Sequence, residues 1–437
     1  MSFDINNEGN IVALSINRNN YERDVKIYQK NTDTSQWTQL GNTLIGDSDK
    51  ALTKVSDTYP YGYFGKQICL NNNGTIIGIL GYNYIEIYEY INHYGNLTWV
   101  IKGDQITSII TDNNYEKIAM NGDGDKICIL EHDPSDTTNS RIKTYQFITT
   151  ANNWTQYGTT ITSSGRENSS ISLNESGDVL AIGNPTNKGN VIVYDLIDST
   201  WIQKDNGTIE GMIDNEKLGK NVSLNKTGTI ICINGENTEN KGITKVYQYS
   251  NTIWSKLGND IVGNLSQNLG NQIDINDNGT VITLLTDDTT ASQKIYTYRY
   301  SNDDWSLISD NYLDVDNNNE HSEGFVKING PGNIVGYFYK KNTTYHFSIH
   351  EWPTIDTVVD TITSNALTDK LYTTSNVGIG TTSPFGKLDI KHSNWTQTPS
   401  GSTMCDMLNL MVSSPSTTGE GNMRTLLCFA DGYRNNS

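Results

Sequence analysis

Along most of this chain the apolar residues recur in one short pattern, two alternating positions before an Asn-x-x-Gly turn and two after it. The turns begin at Asn6, Asn71, Asn121, Asn174, Asn225, Asn276 and Asn329 and close at Gly9, Gly74, Gly124, Gly177, Gly228, Gly279 and Gly332. Three residues before each Asn stands Phe3, Ile68, Ile118, Ile171, Val222, Ile273 or Val326, and one residue before it stands Ile5, Leu70, Met120, Leu173, Leu224, Ile275 or Ile328. A separation of two places both on one face of a strand. Six and eight residues past the Asn the alternation resumes, from Val12 and Leu14 in the first copy to Val335 and Tyr337 in the last. Each unit therefore predicts two strands joined by a hairpin. Asn in the first position of a type I turn bonds its own backbone, and Gly in the fourth accepts a positive φ.

The residue between those two later positions is always small: Ala13, Gly78, Cys128, Ala181, Cys232, Thr283 and Gly336. It lies on the opposite face, as a sheet packed closely on a neighbouring sheet requires. A third strand rich in Val, Ile and Tyr follows in each unit, for example 25–28 and 191–194. Then comes one tryptophan per unit (Trp37, Trp99, Trp154, Trp201, Trp254, Trp305 and Trp352), which in four copies opens Trp-x-x-x-Gly. Successive turns lie 50 to 53 residues apart, except for a first interval of 65. Four strands in each such period, seven times over, predict an all-β chain whose residues 1–353 form a seven-bladed β-propeller of four-stranded blades. Asn and Gly then serve as structural turns rather than ligands. The tryptophans read as packing anchors, with sugar stacking as the alternative. The long first interval places a Tyr-rich insertion at 46–62, a recognition loop or a passive excursion.

Charge narrows the partners. A formal net charge of −18 disfavours nucleic acid, and no run of apolar residues is long enough to insert in a membrane as a helix. The Met1-Ser2-Phe3-Asp4 start shows neither a basic nor an apolar leader, so no signal peptide is expected. Five cysteines fall outside any metal-ligand spacing, and Cys69, Cys128 and Cys232 occupy strand positions as small buried hydrophobes. His346 and His350, four apart on a strand, share a face but show no third ligand. No motif selects a catalytic residue, a cofactor or a metal, and the chain reads as a non-enzyme.

Two stretches resemble known families. Ala181-Ile182-Gly183-Asn184-Pro185 followed by Gly189-Asn190-Val191 is similar to the FG-GAP repeat of integrin-α-type propellers, and Phe64-Gly65, Leu218-Gly219 and Leu269-Gly270 echo its other half. The family's Asp-rich calcium loop has no counterpart; Asn121-Gly122-Asp123-Gly124-Asp125 comes nearest, with too few spaced carboxylates for an oxygen cage. The string Val377-Gly378-Ile379-Gly380-Thr381-Thr382-Ser383-Pro384, continuing to Leu388-Asp389-Ile390, resembles an element of phage and large-virus tail fibres. That resemblance implies a stalk or anchoring segment over 354–437, a homotrimer joined through it, and contacts with other virion proteins. It further implies a virion-surface location after synthesis in a host cytoplasm, with the propeller as a head for a host glycan or protein receptor or for capsid decoration. A cell-surface adhesin of a bacterium or protist and a polysaccharide-degrading propeller enzyme stay open as alternatives.

Overall fold

A computed structural model describes residues 1–17, 23–46, 64–81, 84–107, 117–132, 136, 138–165, 169–236, 241–265, 267–286, 293–312, 324–341, 344–351, 377–379, 388–390, 406–408 and 427–429. The chain divides into two compact units, Met1–Thr354 and Ile355–Ser437. The first is a seven-bladed β-propeller whose blades are antiparallel sheets in chain order. The innermost strands are Ser2–Ile5, Gln67–Leu70, Lys117–Met120, Ser170–Leu173, Asn221–Leu224, Leu269–Ile275 and Phe325–Ile328. Six blades have four strands, the outermost split in two in the first, second and fifth; the seventh shows three among the described residues. The fourth strand expected there from the sequence, with Trp352, and the insertion from residue 47 onward lie outside the described residues.

Each blade is held together as the hydrophobic pattern predicts. Phe3 pairs across from Leu14 and Ile5 from Val12, and all four are buried; the pairing recurs in every blade and the burial too, except that Met120 of blade 3 is half-buried. The small column does face the next blade. A Cβ on Gly78 would lie 3.0 Å from Met120 Cε of blade 3, and one on Gly336 would lie 2.7 Å from Phe3 Cζ of blade 1. Blades seven and one thus meet by face packing, with Phe3 stacked on Phe338 at 6.1 Å between centroids, and among the described residues no strand of either blade pairs in the other's sheet.

The tryptophans tie neighbouring blades. Trp99, Trp154 and Trp305 donate their Nε1 protons to carbonyls of Leu40, Lys102 and Leu257 in the preceding blade, and Trp201 donates to Thr144 Oγ1. The glycine four residues after one tryptophan receives the next tryptophan. Gly41, Gly103, Gly158 and Gly258 all have φ near +70° and lie against Trp99, Trp154, Trp201 and Trp305 in turn.

In the second unit the described strands form two small sheets. Val377–Ile379 runs parallel to Leu388–Ile390, and Asp406–Leu408 runs antiparallel to Leu427–Phe429.

Candidate functional site

The inner strands surround a channel, and its lining follows from what an innermost strand lacks. The residues one and three before each Asn turn their N–H groups away from their own hairpin partner. Such edge donors need acceptors. At five positions a side chain two or four before the Asn of the preceding blade supplies one. Asp4 Oδ2 accepts from Leu70 N at 2.7 Å and Ser2 Oγ from Ile68 N at 3.0 Å. Gln67 Oε1 accepts from Ile118 N, Ser172 Oγ from Leu224 N, and Asp274 Oδ2 from Ile328 N.

A charged group spans the closure of the circle. Lys327 of blade 7 stands 3.6 Å from Asp4 of blade 1, and Asp274 of blade 6 also accepts from the Ser223 hydroxyl at 2.9 Å. Burial would lower the pKa of Lys327, but Asp274 and Asp4 together hold it above the usual lysine value. Asp4 itself is pushed up, by burial first, with Lys327 pulling it back. Cys69 beside them is a buried thiol, raised well above its ordinary value chiefly by burial.

At the other end of the strands the seven turns meet. In each, the Asn side chain reaches back to its own hairpin: Asn6 Oδ1 accepts from Asn10 N and Ile11 N, and Asn71, Asn121, Asn174, Asn225, Asn276 and Asn329 do likewise. Each closing glycine donates its N–H to the Asn carbonyl, with φ between 68° and 79°. The residue after each Asn then donates to the corresponding residue of the next blade: Asn7 to Asn72, then Gly122, Glu175, Lys226, Asp277, Gly330 and back to Asn7. These seven bonds, of 2.9 to 3.2 Å, form a closed circle of main-chain hydrogen bonds. At the usual spacing of hydrogen-bonded strands its Cα diameter is about 11 Å. Side chains crowd into it: Asn7 Nδ2 donates to Asp277 Oδ2 at 2.9 Å, and Lys226 pairs with Glu175 at 2.7 Å. Nothing in the sequence pattern announced this circle, because it is made by the backbone.

A second concavity, of about 650 Å³, lies beside blade 4, where the Gly183-Asn184-Pro185 to Asn190 segment meets the connection to blade 5. Thr186, Asn187, Lys188, Asn190, Glu210 and Asp214 line it, and every one of these side chains is polar. Lys188 and Asp214 stand 3.9 Å apart across it. Asn190 Oδ1 is buried at its edge without a hydrogen-bond partner among the described residues. The floor is tight main chain: a Cβ on Gly189 would stand 2.2 Å from Leu218 N. Leu218, like Phe64 and Leu269, is buried, and the glycine after each receives a polar side chain: Ser15 Oγ on Gly65 O, Ser170 Oγ on Gly219 O and Asn221 Nδ2 on Gly270 O.

The histidines serve packing. His346 stacks on Tyr339 and His350 on Tyr337, with His350 Nε2 3.0 Å from the Tyr337 hydroxyl and its pKa lowered by burial. Asp125, in the turn nearest to a calcium loop, accepts from Asn121 Nδ2 at 2.8 Å. Among the described residues no three His, Cys, Asp or Glu side chains gather as a metal site would need.

No family model matches the sequence, and no curated protein matches it. Solved structures do match in fold. KlAtg21, solved in complex with the coiled coil of AgAtg16, is 10% identical, with a TM-score of 0.50 over 81% of this chain and 99% of its own. The periplasmic gluconolactonase of Pseudomonas aeruginosa is 9% identical, with 0.48 over 79% and 99%. Kluyveromyces lactis Hsv2 is 10% identical, with 0.48 over 80% and 97%. At such identities the likeness is one of propeller architecture.

Proposed function

We propose that this chain is a non-enzymatic surface protein of a virus particle, in which the propeller is a recognition or decorating head and residues 354–437 join copies of the chain. The observation that carries this reading is the pairing inside the tail-fibre-like string. Val377–Ile379 lies parallel to Leu388–Ile390 across a connection of only eight residues, 380–387, and no third strand joins either among the described residues. Parallel strands in one chain ordinarily need a longer crossover, and a two-stranded sheet alone is marginal in water. Further copies of the same strands would complete it, and a trimer is the arrangement that the fibre likeness implies. The groove beside blade 4 supports a head that binds a hydroxyl-rich ligand, since carboxylates, amides and a lysine suit a glycan better than an apolar molecule.

Light scattering on the full chain tests the assembly. Three times the chain mass of 48.7 kDa is expected for residues 1–437 and a single chain mass for residues 1–354. A monomeric full chain would overturn it. Glycan-array binding by the propeller, lost on Glu210→Gln or Asp214→Asn, tests the head, and labelled protein on purified particles tests the location.

A further inference from the structure

The side chains two residues before the turn asparagines form one level of the channel wall. Asp274, Lys327 and Asp4 hold that register in three successive blades, 6, 7 and 1. Lys327 is the only cation of the level and stands between its only two carboxylates. The seam they span is the one at which the chain itself does not run from a blade to its neighbour.

Hydrogen bonds fix how the three face one another. Asp4 Oδ2 is taken by the Leu70 N–H at 2.7 Å, which leaves Oδ1 towards Lys327 Nζ, 3.6 Å away. Asp274 is held from both sides. The Ser223 hydroxyl donates to its Oδ1 at 2.9 Å, and the N–H of Ile328, the residue after Lys327, donates to its Oδ2 at 3.1 Å. An amine, a carboxyl group and a second carboxylate are thus gathered, with nitrogen and carboxyl near the separation of about 3–3.5 Å from which attack proceeds. We propose that Lys327 and Asp4 condense into an isopeptide bond, Nζ to Cγ, with Asp274 carrying the protons, and that this bond closes the propeller covalently.

The step balances without any co-reactant. One ammonium proton passes through Asp274 to Asp4 Oδ1, leaving a neutral amine and a carboxylic acid. Nζ attacks Cγ, and negative charge develops on Oδ2, where the Leu70 N–H already donates. Asp274 takes a second proton from the nitrogen and returns it to Oδ1, the Cγ–Oδ1 bond breaks, and one water leaves. Two charges held partly out of water are replaced by one neutral amide, so burial favours the product. Burial also raises the pKa of Asp4, which favours the acid that is attacked. It favours the free amine of Lys327 too, but Asp274 and Asp4 outweigh it and keep an ammonium as the starting state. The bond should therefore accrue slowly after folding. Cys69, the other nucleophile of the level, lies on the far side of Asp4, and burial keeps its thiol protonated.

The test is intact-mass spectrometry of the folded full chain, denatured just before measurement and sampled over days after purification. A mass about 18 Da below that of the sequence is expected, the loss of one water, with a branched peptide joining Asp4 to Lys327 in a protease digest. Lys327→Arg keeps the charge but offers no amine, and should hold the full sequence mass. Asp274→Asn keeps both reacting groups without the proton carrier, and should form the bond about a hundredfold more slowly. Thermal melts followed by circular dichroism show that both variants fold. A folded wild-type chain that stays at the sequence mass overturns the proposal, as does a lost water that maps to other residues or a Lys327→Arg chain that is equally light. Bond formation in Asp274→Asn at the wild-type rate overturns the part given to Asp274.

Discussion

Trp99 of the second blade lies over Gly41 of the first, where a Cβ would stand 2.8 Å from Trp99 Cδ1. The glycine does two jobs there. Its φ of 72° kinks the outer strand, and its missing side chain makes the seat into which the indole fits. Gly41→Ala meets both the conformational and the steric cost, so a loss of about 2 kcal/mol is expected. A lowered midpoint in urea checks it, with exposed Gly95, which has open space around it, as the control site.

Blade 4 lacks that seat. Four residues after Trp201 stands Asp205, and the positive φ has moved to Asn206. The following tryptophan, Trp254, keeps a buried Nε1 with no partner among the described residues, whereas Trp305 Nε1 donates to Leu257 O at 2.7 Å. Trp305→Phe should therefore cost about 1 kcal/mol more than Trp254→Phe, the usual net worth of one hydrogen bond. Melting temperatures of the two variants decide it; equal losses would contradict the assignment.

The turn asparagines are buried acceptors. Asn121 is 2% exposed and takes the N–H of Asp125 and Lys126 through one oxygen. Asn121→Ala strands both donors and should lower stability by about 2 kcal/mol. Asn121→Asp keeps the acceptor yet faces Asp125 with a second carboxylate, so its deficit should shrink as the pH falls below 4. Thermal melts between pH 3 and pH 7 measure this.

Lys117, on the inner strand of blade 3, makes an alkaline prediction. Burial first and then the charge of Lys220 bring its folded pKa to about 8, below the ordinary 10.5, so between those values the native state holds fewer protons than the unfolded one. Stability then rises with pH through that window, and the charged form is a cost below it. Lys117→Met should be more stable than wild type at pH 7, by on the order of 2 kcal/mol after allowing for solvent screening. The advantage should shrink as the pH climbs from 8 towards 10.5, and paired melts across that range would expose a constant gap.

What could be read from the sequence is what each blade must do in the same way. Burial demands Ile68, Ile118 and Ile171 at one position, and close packing demands Gly78, Ala181 and Gly336 at another, so both columns stand out. The channel lining escaped because Ser2, Asp4, Gln67, Ser172 and Asp274 accept the same kind of N–H with different chemistry. The circle of turns escaped for a related reason: Gly122 and Lys226 contribute to it equally, since only their main chains take part. The groove beside blade 4 depends on where a connection folds back over Gly189, which no periodicity records.

The circle through Asn7, Asn72, Gly122, Glu175, Lys226, Asp277 and Gly330 has a direction but no ends. Each peptide unit points its dipole at the next, and seven such vectors laid head to tail around a loop sum to nothing. A helix terminus lends its partial charge to whatever sits beside it; this loop lends none. The electrostatic character of that face of the propeller is therefore set by side chains, by Glu175, Lys226 and Asp277 of the circle together with Glu8 and Asp123 in the same turns. Substitution at these positions can change its charge while the backbone that carries them stays as it is.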